Sequence, residues 1–266
     1  MTHGVRRLLS MLGLVAMTVG GMTLPAAAAP VDLTASTWGY DVSYPQCGGV
    51  LPTDARFAVV GVDGGKPFDV NPCLAEQMAW AMTSGKPSYY VNTANPGPKL
   101  SSFWPIGQRT PKVCTRKKPD SAGCAFDYGW NSAKDSLVRA RAAARAVGAP
   151  TVTATRWWLD VETSNTWESL EYGEKAKYLA NDTAVLQGMT RFLERRGVKN
   201  VGVYSTTHQW ERITGGASLD RAPMWYAGMG TAKKAVNRCT PKHAFTGGRV
   251  RMTQFALNGF DANLRC

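Results

Sequence analysis

Histidine is almost missing from this sequence, with three in 266 residues: His3, His208 and His243. A multi-histidine metal centre needs more, so neither a metal nor another cofactor is expected. Acids are scarce as well, 19 against 31 Lys and Arg, which leaves a formal charge of +12. No two cysteines stand at the C-x2-C spacing of a zinc site. There is no G-x-S-x-G nucleophile elbow and no Walker-type phosphate loop. Repeats and low-complexity blocks are absent after residue 30, and the 27 Gly and 15 Pro are ordinary usage, so collagen-like and linker-like chains are excluded. With 44% hydrophobic and 19% charged residues, the chain is neither a disordered tail nor a multispan membrane protein.

The one long apolar stretch is Leu8 to Leu24, broken by Ser10, Thr18, Gly20 and Gly21. Arg6 and Arg7 precede it, and Pro25 with the run Ala26 to Ala29 follows. A basic start, a short apolar segment and a small-residue cleavage site read as a secretory signal over residues 1–28. One domain is expected over 30–266. A membrane anchor is disfavoured because the apolar segment is short and Gly-rich, so no stable anchor is expected after processing.

All six cysteines lie beyond that cut, and an even number in an exported chain implies disulfides. Pairing between sequence neighbours is expected: Cys47 with Cys73, Cys114 with Cys124, Cys239 with Cys266. The basic excess favours an anionic partner, and for an exported chain the obvious one is a cell-wall polysaccharide. Nucleic acid fits less well. Apart from Arg116-Lys117-Lys118 and the Arg139/Arg141/Arg145 helix face, the cations are spread through the chain. A merely solvated basic surface is the remaining alternative. A secreted monomer in contact with the wall is expected.

Short apolar runs alternate with helical stretches. Strands are expected at Trp38–Val42, Phe57–Asp63, Pro87–Asn92, Arg156–Glu162 and Asn200–Ser205. Helices are expected at 74–84, 131–147, 175–196 and 208–213, with Gly148 closing the second. Residues 94–125 read as an irregular insert. After the fifth strand the helices fade, leaving strands at 223–227 and 249–255 joined by loop. Strand and helix repeated five times predict an α/β fold, a closed TIM-like (β/α) barrel with disulfide-stabilised loops. An open doubly wound sheet is the alternative, disfavoured by the missing glycine-rich loop after the first strand.

Barrel enzymes place their chemistry at the carboxyl ends of the strands. Asp41, Asp63 and the pair Asp160/Glu162 sit at such ends in this reading. Residues i and i+2 of a strand share a face, so Asp160 and Glu162 point one way while Leu159 and Val161 point the other. Two acids on an inner face cost free energy unless they have a task or partners. Glycoside hydrolysis is a task that needs two carboxyl groups about one bond. Same-face neighbours lie about 6–7 Å apart, between the ~5–5.5 Å of retaining and the ~6.5–9.5 Å of inverting pairs. Trp38, Tyr40, Trp157, Trp158, Trp167, Tyr204, Trp225 and Tyr226 recur near these acids, and aromatic faces can stack on sugar rings. Trp157 and Trp158 are expected to desolvate the acid and raise its pKa. The sequon Asn181-Asp-Thr183 falls inside a predicted helix and is set aside.

These residues carry a resemblance. Gly39-Tyr-Asp-Val-Ser43 with Gln46, Trp158-Leu-Asp-Val-Glu162, Val203-Tyr204-Ser205, Pro223-Met-Trp-Tyr-Ala-Gly228, and Gln254-Phe255 followed by Phe260-Asp261-Ala-Asn263 stand in this order. Together they resemble the motifs of the family 25 glycoside hydrolases, the Chalaropsis-type lysozymes. The resemblance spans residues 38–264 and implies a flattened (β/α)5β3 barrel that cleaves the N-acetylmuramic acid to N-acetylglucosamine bond of peptidoglycan. It implies that Glu162 is the general acid. Asp160 would stabilise charge or steer the substrate's N-acetyl group, and Asp41 and Asp261 would line the cleft. Asp63, Asn92, Tyr40, Tyr204, Trp225 and Gln254 are expected beside them as substrate-binding residues. Asp63-Gly64-Gly65 stands where the family carries Glu-Gly, and Tyr90-Val91-Asn92 where it carries Tyr-His. The insert and the disulfides depart from it too, so the chain resembles a divergent exported branch. A glycosidase and a non-catalytic wall-binding protein on the same barrel are the two readings.

Overall fold

A computed structural model describes residues 38–108, 111–112 and 114–266. The expected export segment lies outside the described residues. Eight strands close into one barrel in sequence order: β1 Trp38–Val42, β2 Ala58–Gly61, β3 Ser88–Asn92, β4 Trp157–Asp160, β5 Val201–Ser205, β6 Met224–Tyr226, β7 Val250–Leu257 and β8 Phe260–Arg265. Neighbours are parallel from β1 through β7, while β8 runs antiparallel to both β7 and β1. Closure leaves no unpaired edge. Because β8 is reversed, its first residues sit at the same mouth as the last residues of β1 to β7.

The helices are α1 Leu74–Met82, α2 Gly97–Leu100, α3 Ala122–Ala146, α4 Glu168–Tyr172, α5 Ala176–Arg195, α6 Thr207–Thr214 and α7 Ala232–Arg238. Among the described residues, no helix is long and apolar enough to cross a membrane. Apolar faces of α1, α3 and α5 pack on the outside of the barrel, joining Val42, Val60, Val91, Leu159 and Val203 in the main core. Gly129 and Gly188 let α3 and α5 touch backbone to backbone. A Cβ on either would collide with a carbonyl of the other helix, that of Val185 or of Phe126. Gly148, with φ +66, takes the left-handed turn that ends α3.

Several expectations are corrected. The connection from β1 to β2 holds only a 3-10 turn, Tyr44–Gln46, in place of a helix. Pro45, Gly48, Gly49 and Pro52 break any longer helical run there. Helix α3 begins at Ala122 rather than Asn131. The Ser121 hydroxyl accepts from the Cys124 amide and caps it, and its first turns bury Cys124, Ala125 and Tyr128. The insert is therefore partly helical, with α2 inside it. Helices α4 and α7 had no counterpart in the reading; both are too short to show a period, and α7 interrupts the stretch expected to be loop. The disulfides join Cys47–Cys73, Cys114–Cys124 and Cys239–Cys266.

Candidate active site

Strand parity divides the barrel's side chains. On the inner face, β4 carries Trp158 and then Asp160, β5 carries Tyr204, β6 Trp225, β7 Met252 and Gln254, and β8 Asp261 and Asn263. Phe57, Val59, Trp158, Trp225 and Met252 form an apolar plug across the middle of the lumen. Above it, at the carboxyl ends of β1 to β7, a small cleft of about 120 Å³ is lined by Asp41, Tyr90, Asp160, Glu162, Tyr204, Trp225, Gln254 and Asp261. No Lys or Arg lines it. Its volume equals that of about four waters at ~30 Å³ each.

Each acid is held in place. Asn263 and Gln254 both donate side-chain amide N–H groups to the Asp41 carboxylate. The orientation of Gln254 is fixed because its Oε1 accepts from the Tyr204 hydroxyl at 2.8 Å and the Gly228 amide at 3.2 Å. Burial, and then the Asp261 carboxylate, push the Asp41 carboxyl up to about 7. Asp41 and Asp261 are directly opposite in the β1–β8 ladder, which explains that repulsion. Partial burial raises Asp261 as well.

Strand β4 ends at Asp160, so Glu162 sits two residues beyond it, yet both line the cleft. Val161 between them is buried in the outer core. Their carboxyl groups lie within hydrogen-bonding reach of each other, closer than the strand rise alone implies. The peptide around them is tied down from both sides. Thr93 Oγ1 donates to the Asp160 carbonyl, Ser205 Oγ to the Val161 carbonyl at 2.6 Å, and Trp167 Nε1 to the Glu162 carbonyl at 2.8 Å.

Asp160 is held well above the usual carboxylate range by burial first and by the Glu162 carboxylate second. Asn92 Nδ2 donates to its Oδ2 at 2.7 Å and pulls the other way. Its Oδ1 is buried and accepts from no donor. A proton on Asp160, donated to Glu162, removes that deficit. Burial raises Glu162 too, while hydrogen bonds from Asp160 and Gln209 hold it down. Two carboxyls so close cannot both ionise readily, and they titrate as one coupled pair.

Three expected site residues fall elsewhere. Asp63 is buried outside the cleft, where its two oxygens accept from Ser136 Oγ at 2.9 Å and the Asn92 amide at 3.1 Å, tying α3 to β3. Its glycine neighbours turn the chain away from the lumen, so no acid from β2 reaches the mouth. Tyr40 has the outward parity of β1 and packs with Phe255, Ala262 and Leu264 against α7. Asn92 lies behind Asp160 rather than on the cleft wall.

Among the aromatics, Trp225 and Tyr204 reach the cleft, edge to face with centroids 4.5 Å apart. Trp157 faces outward onto Tyr89. Trp158 belongs to the plug below, so desolvation of the acids comes from the closed lumen as a whole. Trp38 packs on Tyr40, and Tyr226 packs on Phe245. Tyr90 and Gln209 were missed. Tyr90 lies on the inner face of β3, two residues before Asn92, a parity that could have marked it. Gln209 comes from the first turn of α6, for which the sequence gives no signal. Asn181 lies in α5 and is buried, its amide donating to Glu168 at 2.8 Å.

A closed eight-stranded barrel with a carboxyl cluster at the carboxyl ends of its strands is an arrangement shared by barrel hydrolases. This particular barrel has the fold of the family 25 glycoside hydrolases. The chain matches a family GH25 lysozyme from Aspergillus fumigatus with a TM-score of 0.56 and 14% identity, over 87% of this chain and 94% of that one. It matches a bacterial lysozyme from Streptomyces coelicolor with a TM-score of 0.51 and 15% identity, over 87% and 93%. The modular autolysin LytC of Streptococcus pneumoniae, solved with a synthetic peptidoglycan ligand, gives 0.52 and 12%, over 86% of this chain and 46% of that one. A family model described as lysozyme-like protein 1 matches residues 130–242. That span contains Asp160, Glu162, Tyr204 and Trp225 but neither Asp41 nor Asp261. No curated protein matches the sequence significantly.

Proposed function

We propose that this chain is an exported glycoside hydrolase that cleaves peptidoglycan or a related N-acetylated wall glycan at the Asp160–Glu162 pair. One observation carries the reading: two hydrogen-bonded carboxyls, flanked by two more acids, in a cleft at the mouth of the barrel that no Lys or Arg lines. Glu162 is the general acid and Asp160 its partner. Export rests on the signal-like residues 1–28, and the three disulfides suit an oxidising compartment.

The close contact of the pair guides the mechanism. A retaining pair of two carboxylates must hold the anomeric carbon between its members, and an inverting pair must also hold a water. Groups within hydrogen-bonding reach leave room for neither. The nucleophile is then the acetamido oxygen of the substrate itself. In the empty cleft the shared proton rests on the more buried Asp160. Its transfer along the hydrogen bond leaves Glu162 protonated and Asp160 ionised.

Glu162 donates that proton to the glycosidic oxygen as the C1–O bond breaks. The acetamido oxygen closes on C1, and the positive charge that develops on its nitrogen is stabilised by the Asp160 carboxylate. Water then attacks C1, giving up a proton to Glu162. Configuration at C1 is retained. Asp41 and Asp261 add negative potential beside the cationic centre. Trp225 lines the cleft, and its indole N–H is buried without an acceptor.

The test is digestion of purified peptidoglycan, with the new reducing ends identified by mass spectrometry and the first-formed anomer by NMR. Muramic acid reducing ends of retained configuration are expected. An inverted product, or cleavage of a glucan lacking acetamido groups at an equal rate, contradicts the mechanism.

A further inference from the structure

The opposite end of the barrel carries a feature that the hydrolysis does not use. At the amino ends of the parallel strands, two concavities of about 500 and 330 Å³ share Arg156, Asn200 and Arg251 and merge into one groove. Its cations are Lys86, Arg156, Arg221, Arg249, Arg251 and Arg265, and no Asp or Glu side chain lines it. Among the described residues, none of these six makes a salt bridge. Arg156 precedes β4, Arg251 lies on β7 and Arg265 ends the reversed β8, so guanidiniums from three strands converge on one floor. Burial, and then Arg251 and Arg265, hold Arg156 below its ordinary value. Arg156 lies 5.2 Å over the Trp158 ring and Arg265 lies 4.1 Å over Phe57. Trp158 also lines this floor, and its indole N–H is buried without an acceptor.

Like charges gathered with no ion pair to any of them repel one another, and an anion seated among them relieves this. From these contacts we infer that the groove binds a phosphodiester polymer, a chain of phosphates on a polyol backbone. Three features select that class. Guanidiniums reaching in from three strands suit a tetrahedral anion with oxygens on several sides better than a planar carboxylate. Two adjoining concavities of about 500 and 330 Å³ have room for more than one phosphate, which suits a repeating anion. Both aromatic faces are already covered by guanidiniums, so no platform remains for stacking the bases of a single-stranded nucleic acid.

The experiment is titration calorimetry of the full chain with poly(glycerol phosphate), with a single-stranded oligonucleotide, polyglutamate and inorganic phosphate as comparison probes. Binding of poly(glycerol phosphate) is expected to weaken with salt. In Arg249→Gln/Arg251→Gln, two exposed positions, affinity should fall about tenfold and the log–log salt slope by about two. Arg156→Gln should add to the loss. Arg145→Gln/Arg191→Gln, with the same charge change on α3 and α5, should bind as the unaltered protein does. Cleavage of a short soluble glycan should be unchanged in all of them.

Equal loss in the α3/α5 control would mean that net charge alone attracts the polymer, and would overturn the proposal. Equal affinity for the oligonucleotide or polyglutamate would overturn the choice of ligand class. Inorganic phosphate binding as tightly as the polymer would reduce the groove to a single-anion site and overturn the polymer. If a groove variant melts early, the rise in Tm that the polymer gives the unaltered chain, and phosphate at equal charge does not, decides the same question.

Discussion

The two ends of this barrel are built on the same strands and carry opposite chemistry. Along β4 the inner face reads Trp158 and then Asp160 upward, with Arg156 just before the strand. Along the reversed β8 it reads Asp261, Asn263 and Arg265 downward. Acids gather at the carboxyl mouth and arginines at the amino end, and the plug of Trp158, Trp225, Val59 and Met252 separates them. Neither cluster neutralises the other. Burial in the closed lumen and mutual crowding raise the Asp41 and Asp160 carboxyls. Most of the arginines keep their charge exposed in an open groove.

The largest expected effect comes from breaking the acidic end alone. Asp160→Asn keeps the shape and the Asn92 contact by an amide flip but cannot hold the ionised state. Its kcat on a wall glycan should fall about a thousandfold, while poly(glycerol phosphate) binding stays as it was. Loss of both together would show that the ends are not separate. A smaller effect sharpens the acidic end. Asn92→Ala removes a donor that lowers Asp160, so the pair should lose its proton at higher pH and the alkaline limb of the kcat/KM profile should move up. A limb that moves down, or stays, contradicts the assignment of that limb to the pair.

The sequence made the acids of the site legible because they are misfits. An Asp or Glu on the inner side of an apolar strand is visible without a structure, and the motifs around Asp41, Asp160 and Asp261 placed them in order. The closed barrel followed from the alternation of strand and helix. Parity was harder to read where strands are short. Tyr40 and Asp41 are adjacent, and only the closure of β8 onto β1 settles which of them faces in. Asp63 looked like a cleft acid because it ends a strand segment, but β2 stops at Gly61 and the next residues turn outward to α3. The arginine groove was invisible as a unit. Its members come from residues 86, 156, 221, 249, 251 and 265, which the reading took as scattered charge, and only the barrel brings them together. The short helices α4 and α7 carry too few turns to show a period.

Asp63 gives a stability effect outside both ends. Burial pushes its carboxyl up to about 8. The folded chain therefore holds a proton that the unfolded chain has lost above about pH 4. Stability should fall as pH rises from about 4 to about 8 and level off beyond, with Asp41, near 7, adding to the same slope. Asp63→Asn should flatten the curve, because Ser136 can turn its hydroxyl toward the Ser132 carbonyl and accept from the new amide. Thermal melts at several pH values check this, and an unchanged slope in the variant contradicts it. The smallest effect is Tyr40→Phe, which should cost about 1 kcal/mol of stability or less and leave cleavage unaltered. A loss of activity there would return Tyr40 to the cleft.

The most direct measurement is the time course of reducing-end release from purified peptidoglycan by the unaltered chain and by Glu162→Gln, both shown by melting to be folded. Release by the unaltered chain, with a drop of about a thousandfold in Glu162→Gln, is the expected result. Equal release by the two, or none by the unaltered chain, contradicts the assignment of hydrolysis to the acidic end.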